Sequence, residues 1–505
     1  MRTTAGRFGP RRQQPMPGAT HERLTFGHGT HGAVPPAIAA AAELAHEPKP
    51  FSFTHLETWD WGWGGLLLFS ILLFFRPQDQ VTALGNAHLS ELSAIIGLIA
   101  MLALNSNRRE PLTRMTPELG AVIGLGAVIL FTVPTSFWPG GSFGVFKDLY
   151  IKVALVFLLM VNTVTSPRRV ERICWVIVLA FGYISARAWF DYVRGVHLVE
   201  GGRVAGAAGG FFENPNDLAL NLAAFLPLAL MYVKRPGPVL KRLIAAGITL
   251  LMLGAIVFTK SRSGMLGTVA MAVVYLLATR SLKPQVILGG VVTGMLVLPM
   301  LPQTFWDRME SITDADKDTT GSREQRRELM EEAWNVFLQH PLTGIGAGQF
   351  QNFGEPGATK KWRVTHNAYL QVAAELGIFG LIFFLVIVWK GFSAAWWTRR
   401  HLNWIYRRRS RKKPAADPED GLTADERYFL QTHGAAMLAC MTGWFICAIF
   451  ASVAFNWTFY YVFALAVGGR EILAARRAGA GAAAEEPAVV TPLVRLPVTG
   501  GAASK

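Results

Sequence analysis

The chain has 505 residues, of which 51% are hydrophobic and only 16% charged, and its mean hydropathy is +0.30. Soluble domains carry about 25% charged residues, so the composition excludes an ordinary water-soluble protein and points to the membrane class. The net charge of +15 falls mainly in short connections between apolar runs, where a positive-inside bias places it; with no recognition motif beside those residues, nucleic acid is excluded as a partner.

Residues 1–55 are rich in Arg, Pro, Gly and His and lack an apolar core of signal-peptide length, so they are expected to form a disordered cytoplasmic tail. A transmembrane helix needs about twenty mainly apolar residues. Residues 56–301 supply the first spans, at Trp59–Phe75, Leu89–Leu104, Leu119–Phe137, Phe146–Thr163, Val170–Phe190, Asp217–Val233, Leu240–Phe258, Ser263–Thr279 and Gln285–Leu301. A mostly polar stretch, 302–366, then forms a large loop between spans 9 and 10. Within it Leu329, Met330, Ala333, Val336 and Phe337 recur at helical spacing, and His340-Pro341 ends the pattern, which predicts an amphipathic helix with Trp334 as a packing residue. Residues 367–473 hold the last spans, Asn367–Trp389, His433–Ala454 and Asn456–Ile472, with a basic cytoplasmic loop over 391–432. The Ala/Gly/Pro-rich end, 474–505, is expected to be a second disordered cytoplasmic tail. The predicted fold is all-α and polytopic, with about twelve transmembrane helices.

With the N-terminus in the cytoplasm, Arg108, Arg109 and Arg114, Arg168 and Arg169, Lys234 to Arg242, Arg280 and Lys283 all fall inside. Three stretches with charge are left on the outer, periplasmic side: Arg194–Asp217, the tight turn Lys260–Arg262, and the large loop ending at His366. Cys174, Cys440 and Cys447 lie in apolar segments. The last two sit seven residues apart on one helix, about 10 Å, too far to bridge, and all three read as packing residues.

The outer stretches carry the candidate chemistry. Arg203 stands beside a glycine-rich turn that leads through Asn214-Pro215-Asn216-Asp217 into the next span, with Asn216 or Asp217 expected to cap it. Lys260-Ser261-Arg262 opens another span, where arginine and helix N–H groups together suit phosphate. Two arginines from two outer turns would clamp a diphosphate. His366-Asn367 stands at the start of span 10, where the positive helix end favours a neutral imidazole able to accept a proton from a sugar hydroxyl. Glu375, about 13 Å further along that helix, is costly there unless partnered, and marks functional or structural core. No metal-ligand spacing or cofactor motif occurs in the sequence. Together these parts suit transfer of a group from a polyprenyl-diphosphate donor.

The segments Ser322–Phe350 and Thr365–Gly380 resemble the O-antigen ligase/O-antigen polymerase superfamily. In that superfamily an R…W…P-x-x-G-x-G segment precedes H-N and then E-x-G. Arg203, Gly206, Asn214, Pro215 and Asn216 resemble its R-x-x-G…N-P-N element, and Ser261-Arg262-Ser263-Gly264 its S-R-(S/G)-G turn. The match in order and topology covers about Val170 to Val388. The resemblance implies a membrane glycosyltransferase in the bacterial inner membrane, active at the periplasmic face without metal or cofactor. It implies an undecaprenyl-diphosphate-linked glycan as donor and a lipid A-core, protein or glycan acceptor. Arg203 and Arg262 would bind the diphosphate and His366 would orient or deprotonate the acceptor, with Asn214, Asn216, Lys260, Asn367 and Glu375 in support. A ligase and a polymerase both fit. A transporter for the same lipid-linked glycan fits less well, because the suspicious charges gather near one surface rather than at the midplane.

Overall fold

A computed structural model of the chain describes residues 60–77, 88–199, 201–206, 212, 214–280, 303, 306, 310, 322–353, 364–409 and 421–485. The expected tail 1–55 and the expected span Gln285–Leu301 lie outside these residues.

The helices are α1 (Trp61–Phe75), α2 (Leu89–Asn107), α3 (Pro117–Thr132), the short α4 (Pro139–Val145), α5 (Ile151–Thr163), α6 (Pro167–Arg194), α7 (Pro215–Lys234), α8 (Val239–Phe258), α9 (Arg262–Thr279), α10 (Ser322–Gln339), α11 (Ala368–Arg409), α12 (Ala424–Ala448) and α13 (Trp457–Glu485). Between α6 and α7 a two-residue hairpin pairs β1 (Leu198–Val199) with β2 (Arg203–Val204), antiparallel, with Val199 opposite Arg203. Polar residues set the helix starts. Asp60, Thr116, Ser166, Asn214 and Ser261 each accept a backbone N–H of the turn they open, satisfying donors a helix cannot satisfy itself. Proline follows at the first position of α3, α6 and α7, where its missing N–H costs nothing.

Among the described residues, seven helices are long and apolar enough to cross a bilayer: α2, α3 with its 3-10 extension to Thr135, α6, α7, α8, α9 and α11 as far as Leu402. They differ in what they face. Nearly four-fifths of the apolar window of α7 is buried, against a third or less for α2, α8 and α9. The exposed residues of those three include Ile95 and Ile99, Leu243 and Leu250, and Leu266 and Val273, apolar faces suited to lipid. Helix α7 therefore sits at the centre, packed by α8, α9 and α12. All three cysteines are buried.

The helix ends sort the charges. Arg169 meets Asp60 at 2.5 Å, Arg235 meets Glu171 at 2.6 Å and Asp425 at 2.7 Å, and Arg470 is held two-pronged by Glu118 at 2.6 and 2.7 Å. These pairs tie α1, α3, α6, α7, α12 and α13 at one end of the bundle, called here the basic end. The opposite end carries the hairpin, the α8–α9 turn and the start of α11.

Several boundaries differ from expectation. Phe146–Thr163 is one helical run whose first turn, Phe146–Tyr150, is π-helical and continuous with α4 before it and α5 after it. The basic stretch 391–432 is not mainly loop. Helix α11 runs to Arg409 and α12 begins at Ala424, because no proline interrupts Trp389–Arg409 and Arg399 Nε donates to Ala278 O at 2.7 Å, seating the extension on the end of α9. Helix α13 likewise continues to Glu485, through the expected start of the tail, on an alanine-rich run of strong helix formers.

Candidate functional site

Arg203 is positioned by the hairpin. Its Nε donates to Thr259 O at 2.9 Å and its Nη2 to Asn216 Oδ1 at 2.8 Å. The same Asn216 oxygen accepts from Ser261 Oγ at 2.9 Å. One side-chain amide thus joins the hairpin arginine to the α8–α9 turn. This is possible because Asn214, not Asn216 or Asp217, caps α7: Asn214 Oδ1 accepts the Asn216 N–H at 2.8 Å. Lys260 closes the group, donating from Nζ to Gly201 O at 2.8 Å with its backbone in the left-handed region at φ 48°. That conformation is uncommon for a residue with a side chain, and the lysine contact helps hold it. Ser261 accepts the Gly264 N–H at 3.3 Å, so half-buried Arg262 begins the first turn of α9. Arg203, Asn214, Asn216, Lys260 and Arg262 therefore share one end of the bundle in one connected group.

His366 stands on a second turn. Its own backbone is left-handed, φ 49°, and its N–H donates to Ser452 Oγ at 2.9 Å. Thr365 Oγ1 shares a hydrogen bond with the same serine at 2.8 Å. Asn367 caps α11, its Oδ1 accepting the N–H of Tyr369 at 2.9 Å and of Leu370 at 3.0 Å. His366 is thereby relieved of capping, and among the described residues no side chain hydrogen-bonds its ring. Burial, and then the charge of Arg326 on α10, push its pKa down to about 4, so the imidazole is neutral at pH 7.

The two turns meet through the end of α12. Cys447 Sγ donates to Ser263 O at 3.3 Å, and Ser452 lies five residues further on. Tyr369 OH donates to Phe445 O at 3.1 Å, fixing α11 to the same stretch.

Glu375 is buried against a glycine turn. Its Oε2 accepts the Gly348 N–H at 2.8 Å, while Gly346 N donates to Glu375 O at 2.8 Å and Ile378 N to Pro341 O at 2.8 Å. The glycine turn 344–348 thus lies against α11, where Gly377 takes φ 65° and ψ −162°. A Cβ there would lie 2.4 Å from Leu342 O, and one on Gly344 2.3 Å from the Glu375 carbonyl carbon; only glycine permits this approach. Helix α10 buries Leu329, Ala333 and Val336 against Ile345, Phe350 and Ala374, as its spacing predicts. Trp334 does not pack inward: it is 50% exposed, because it falls one position beyond the buried stripe.

Sequence reasoning passed over Arg326 and Ser452. Arg326 had a signal: it lies three residues before Leu329 and seven before Ala333, a charge on the apolar stripe. Ser452 had none, since its role depends on a contact 86 residues away in the chain.

The family model described as O-antigen ligase matches residues 247–385. That segment, a little over a quarter of the chain, is similar to the O-antigen ligase family. The chain is an integral membrane protein. The matched stretch runs from α8 to the middle of α11 and takes in Lys260, Arg262, His366, Asn367 and Glu375, whereas Arg203, Asn214 and Asn216 lie outside it. The arginine hairpin nevertheless joins the matched segment by direct hydrogen bonds. No curated protein matches the chain.

Proposed function

We propose that the protein transfers a glycan from undecaprenyl diphosphate to an acceptor hydroxyl at the periplasmic face of the bacterial inner membrane. The observation that carries the reading is the joining of two structured turns at one bundle end: one bearing Arg203, Lys260 and Arg262, the other a neutral His366. The basic connections gather at the opposite end, which favours a cytoplasmic placement for them and a periplasmic one for the site.

The acceptor oxygen forms a bond to the anomeric carbon as that carbon's bond to the diphosphate oxygen breaks. The electron pair leaves on the diphosphate, and the acceptor proton passes to His366. Negative charge grows on the leaving group, so fixed cations beside it lower the barrier more than they stabilise the bound donor. Arg203 and Arg262 supply those cations, with Lys260 and Asn216 holding the turn and Asn214 and Asn367 capping the helices behind it. Attack from the side opposite the diphosphate inverts the anomeric centre.

The test is transfer in vitro by the purified full-length protein from a defined undecaprenyl-diphosphate glycan to a panel of lipid, peptide and glycan acceptors. Transfer that needs both arginines and His366, and survives a chelator, supports the reading. Undiminished transfer by the Arg203→Ala, Arg262→Ala and His366→Ala variants would remove it. The polymerase reading differs only in its acceptor: a polymerase extends the glycan of a second donor molecule.

A further inference from the structure

The amphipathic helix α10 brings to the histidine turn a cation that the transfer reading does not use. Helix α10 packs on α11, and the two run side by side in the same direction. Pro341 O, just past the end of α10, accepts the Ile378 N–H at 2.8 Å. Earlier along both helices, Leu329, Ala333 and Val336 share a buried cluster with Ala374, and Leu370 packs against it. One turn before Leu329 is Arg326, and one turn before Leu370 is His366. The two half-buried side chains therefore fall at the same level of the α10–α11 seam, close enough for the arginine charge to act on the imidazole. The next residue, Arg327, is one position off the seam and pairs outward with Glu331 at 2.9 Å.

Arg326 reaches the histidine from a different wall than the diphosphate cations do. Arg203, Lys260 and Arg262 are set by the hairpin, by Asn216 at the start of α7 and by the α8–α9 turn. Arg326 comes from α10, on the side of α11 covered by the glycine turn, whose Ile345 shares the α10 cluster.

Alone, a guanidinium in this place works against the reaction. When the acceptor proton passes to His366 the ring becomes an imidazolium, and a like charge nearby makes that state costlier. A bound anion reverses the effect. It pairs with the guanidinium N–H donors and offsets the positive charge growing on the ring. The diphosphate already has Arg203 and Arg262, so the anion suited to Arg326 is one that arrives with the other substrate.

We propose that Arg326 anchors an anion subsite for the acceptor, binding a phosphate or carboxylate group carried near the accepting hydroxyl and so delivering that hydroxyl to His366. The proposal rests on the transfer reading above and narrows it to an acceptor that bears negative charge, whatever larger molecule that charge belongs to.

The test that needs no turnover follows carbethoxylation of His366 by diethyl pyrocarbonate in the purified full-length protein at pH 7, read by peptide mass spectrometry. Glucose 6-phosphate and glucuronate serve as anionic probes and glucose as the neutral one. Either anion is expected to slow modification of His366 at least about fivefold, equivalent to about 1 kcal/mol, and glucose to leave it unchanged. Each variant is compared with its own rate without probe. Protection is expected to vanish in Arg326→Gln, to return in part in Arg326→Lys and to persist in Arg262→Ala. His340, exposed at the far end of α10, is expected to react at one rate throughout. Protection that survives Arg326→Gln, that disappears in Arg262→Ala, that extends to His340, or that neither anion gives would overturn the assignment.

Transfer supplies the second readout. Acceptors bearing phosphate or carboxylate are expected to be used at least about tenfold better than their neutral counterparts, a difference of about 1.4 kcal/mol. Arg326→Gln is expected to raise the KM for those acceptors and leave the donor KM unchanged. A rise in donor KM instead would assign Arg326 to the diphosphate and overturn the proposal, as would a preference for neutral acceptors. Absence of anion protection in a protein whose transfer depends on His366 sinks this inference alone. Protection that depends on Arg326, in a protein indifferent to His366→Ala, sinks the transfer reading.

Discussion

The two turns at the site end are built in opposite ways. At the arginine turn the side chains are engaged: Arg203 is held by Thr259 and Asn216, Lys260 by Gly201, and Ser261 by Asn216. At the histidine turn the backbone is held, by Ser452 and by the Asn367 cap, while the imidazole itself is given no hydrogen-bond partner among the described residues. A group that must hold an anion in one pose gains from rigid support. A group that must accept a proton gains from a fixed base and an open ring.

The sharpest way to break this contrast is to remove the open group. His366→Ala is expected to reduce transfer by about 10²–10⁴-fold, the usual worth of a positioned acid–base group, with membrane insertion unchanged; an active variant would make the histidine turn merely structural. Next comes Arg262→Ala, expected to cost about 10²–10³-fold in transfer rate, as loss of a preorganised charge partner does. Arg203→Lys should behave almost as badly, because an ammonium cannot reproduce the two-point hold on Thr259 and Asn216.

A smaller effect would sharpen the comparison. Ser452→Ala removes one hydrogen bond to the His366 backbone, worth about 1 kcal/mol, and is expected to lower transfer roughly fivefold while leaving donor binding unchanged. Donor affinity and transfer rate measured on the same preparation check this.

The smallest effect is on pH. His366 titrates at about 4 rather than 6.5 when folded, so its proton-accepting form persists through that window. Transfer is expected to show no acid limb near pH 6.5 attributable to this group, and a profile falling there would contradict the neutral, half-buried ring. The stability sign runs the other way. Between pH 6.5 and 4 the unfolded chain takes up a proton that the folded chain refuses, so this residue's contribution to stability is complete above pH 6.5. It is lost as pH falls toward 4.

Much of this was legible in the residues, and the limits have physical causes. Apolar runs set the positions of most helices, since a bilayer admits few alternatives. The sequence put the cap of α7 on Asn216 or Asp217; Asn214 holds it instead, because Asn216 Oδ1 is taken by Arg203 and Ser261, tertiary contacts with no local signature. Glu375 read as functional or structural core because a buried carboxylate is costly; the Gly348 N–H that meets it is a backbone group and carries no residue signature. Ser452 was invisible for the same reason. The ends of α11 and α13 were misjudged because charge and low complexity read as loop, whereas arginine and alanine are strong helix formers wherever a helix already supports them.

Helix α11 has a further consequence. From Ile378, just past the bend at Gly377, to Arg409 it rises about 48 Å, while the hydrocarbon it crosses is about 30 Å thick. Roughly the last dozen residues of the helix therefore continue beyond the hydrocarbon, the first of them seated on the end of α9. Such an extension is a built-in handle: an orientation mark for imaging a protein otherwise hidden in its micelle, on the side away from where sugars change hands.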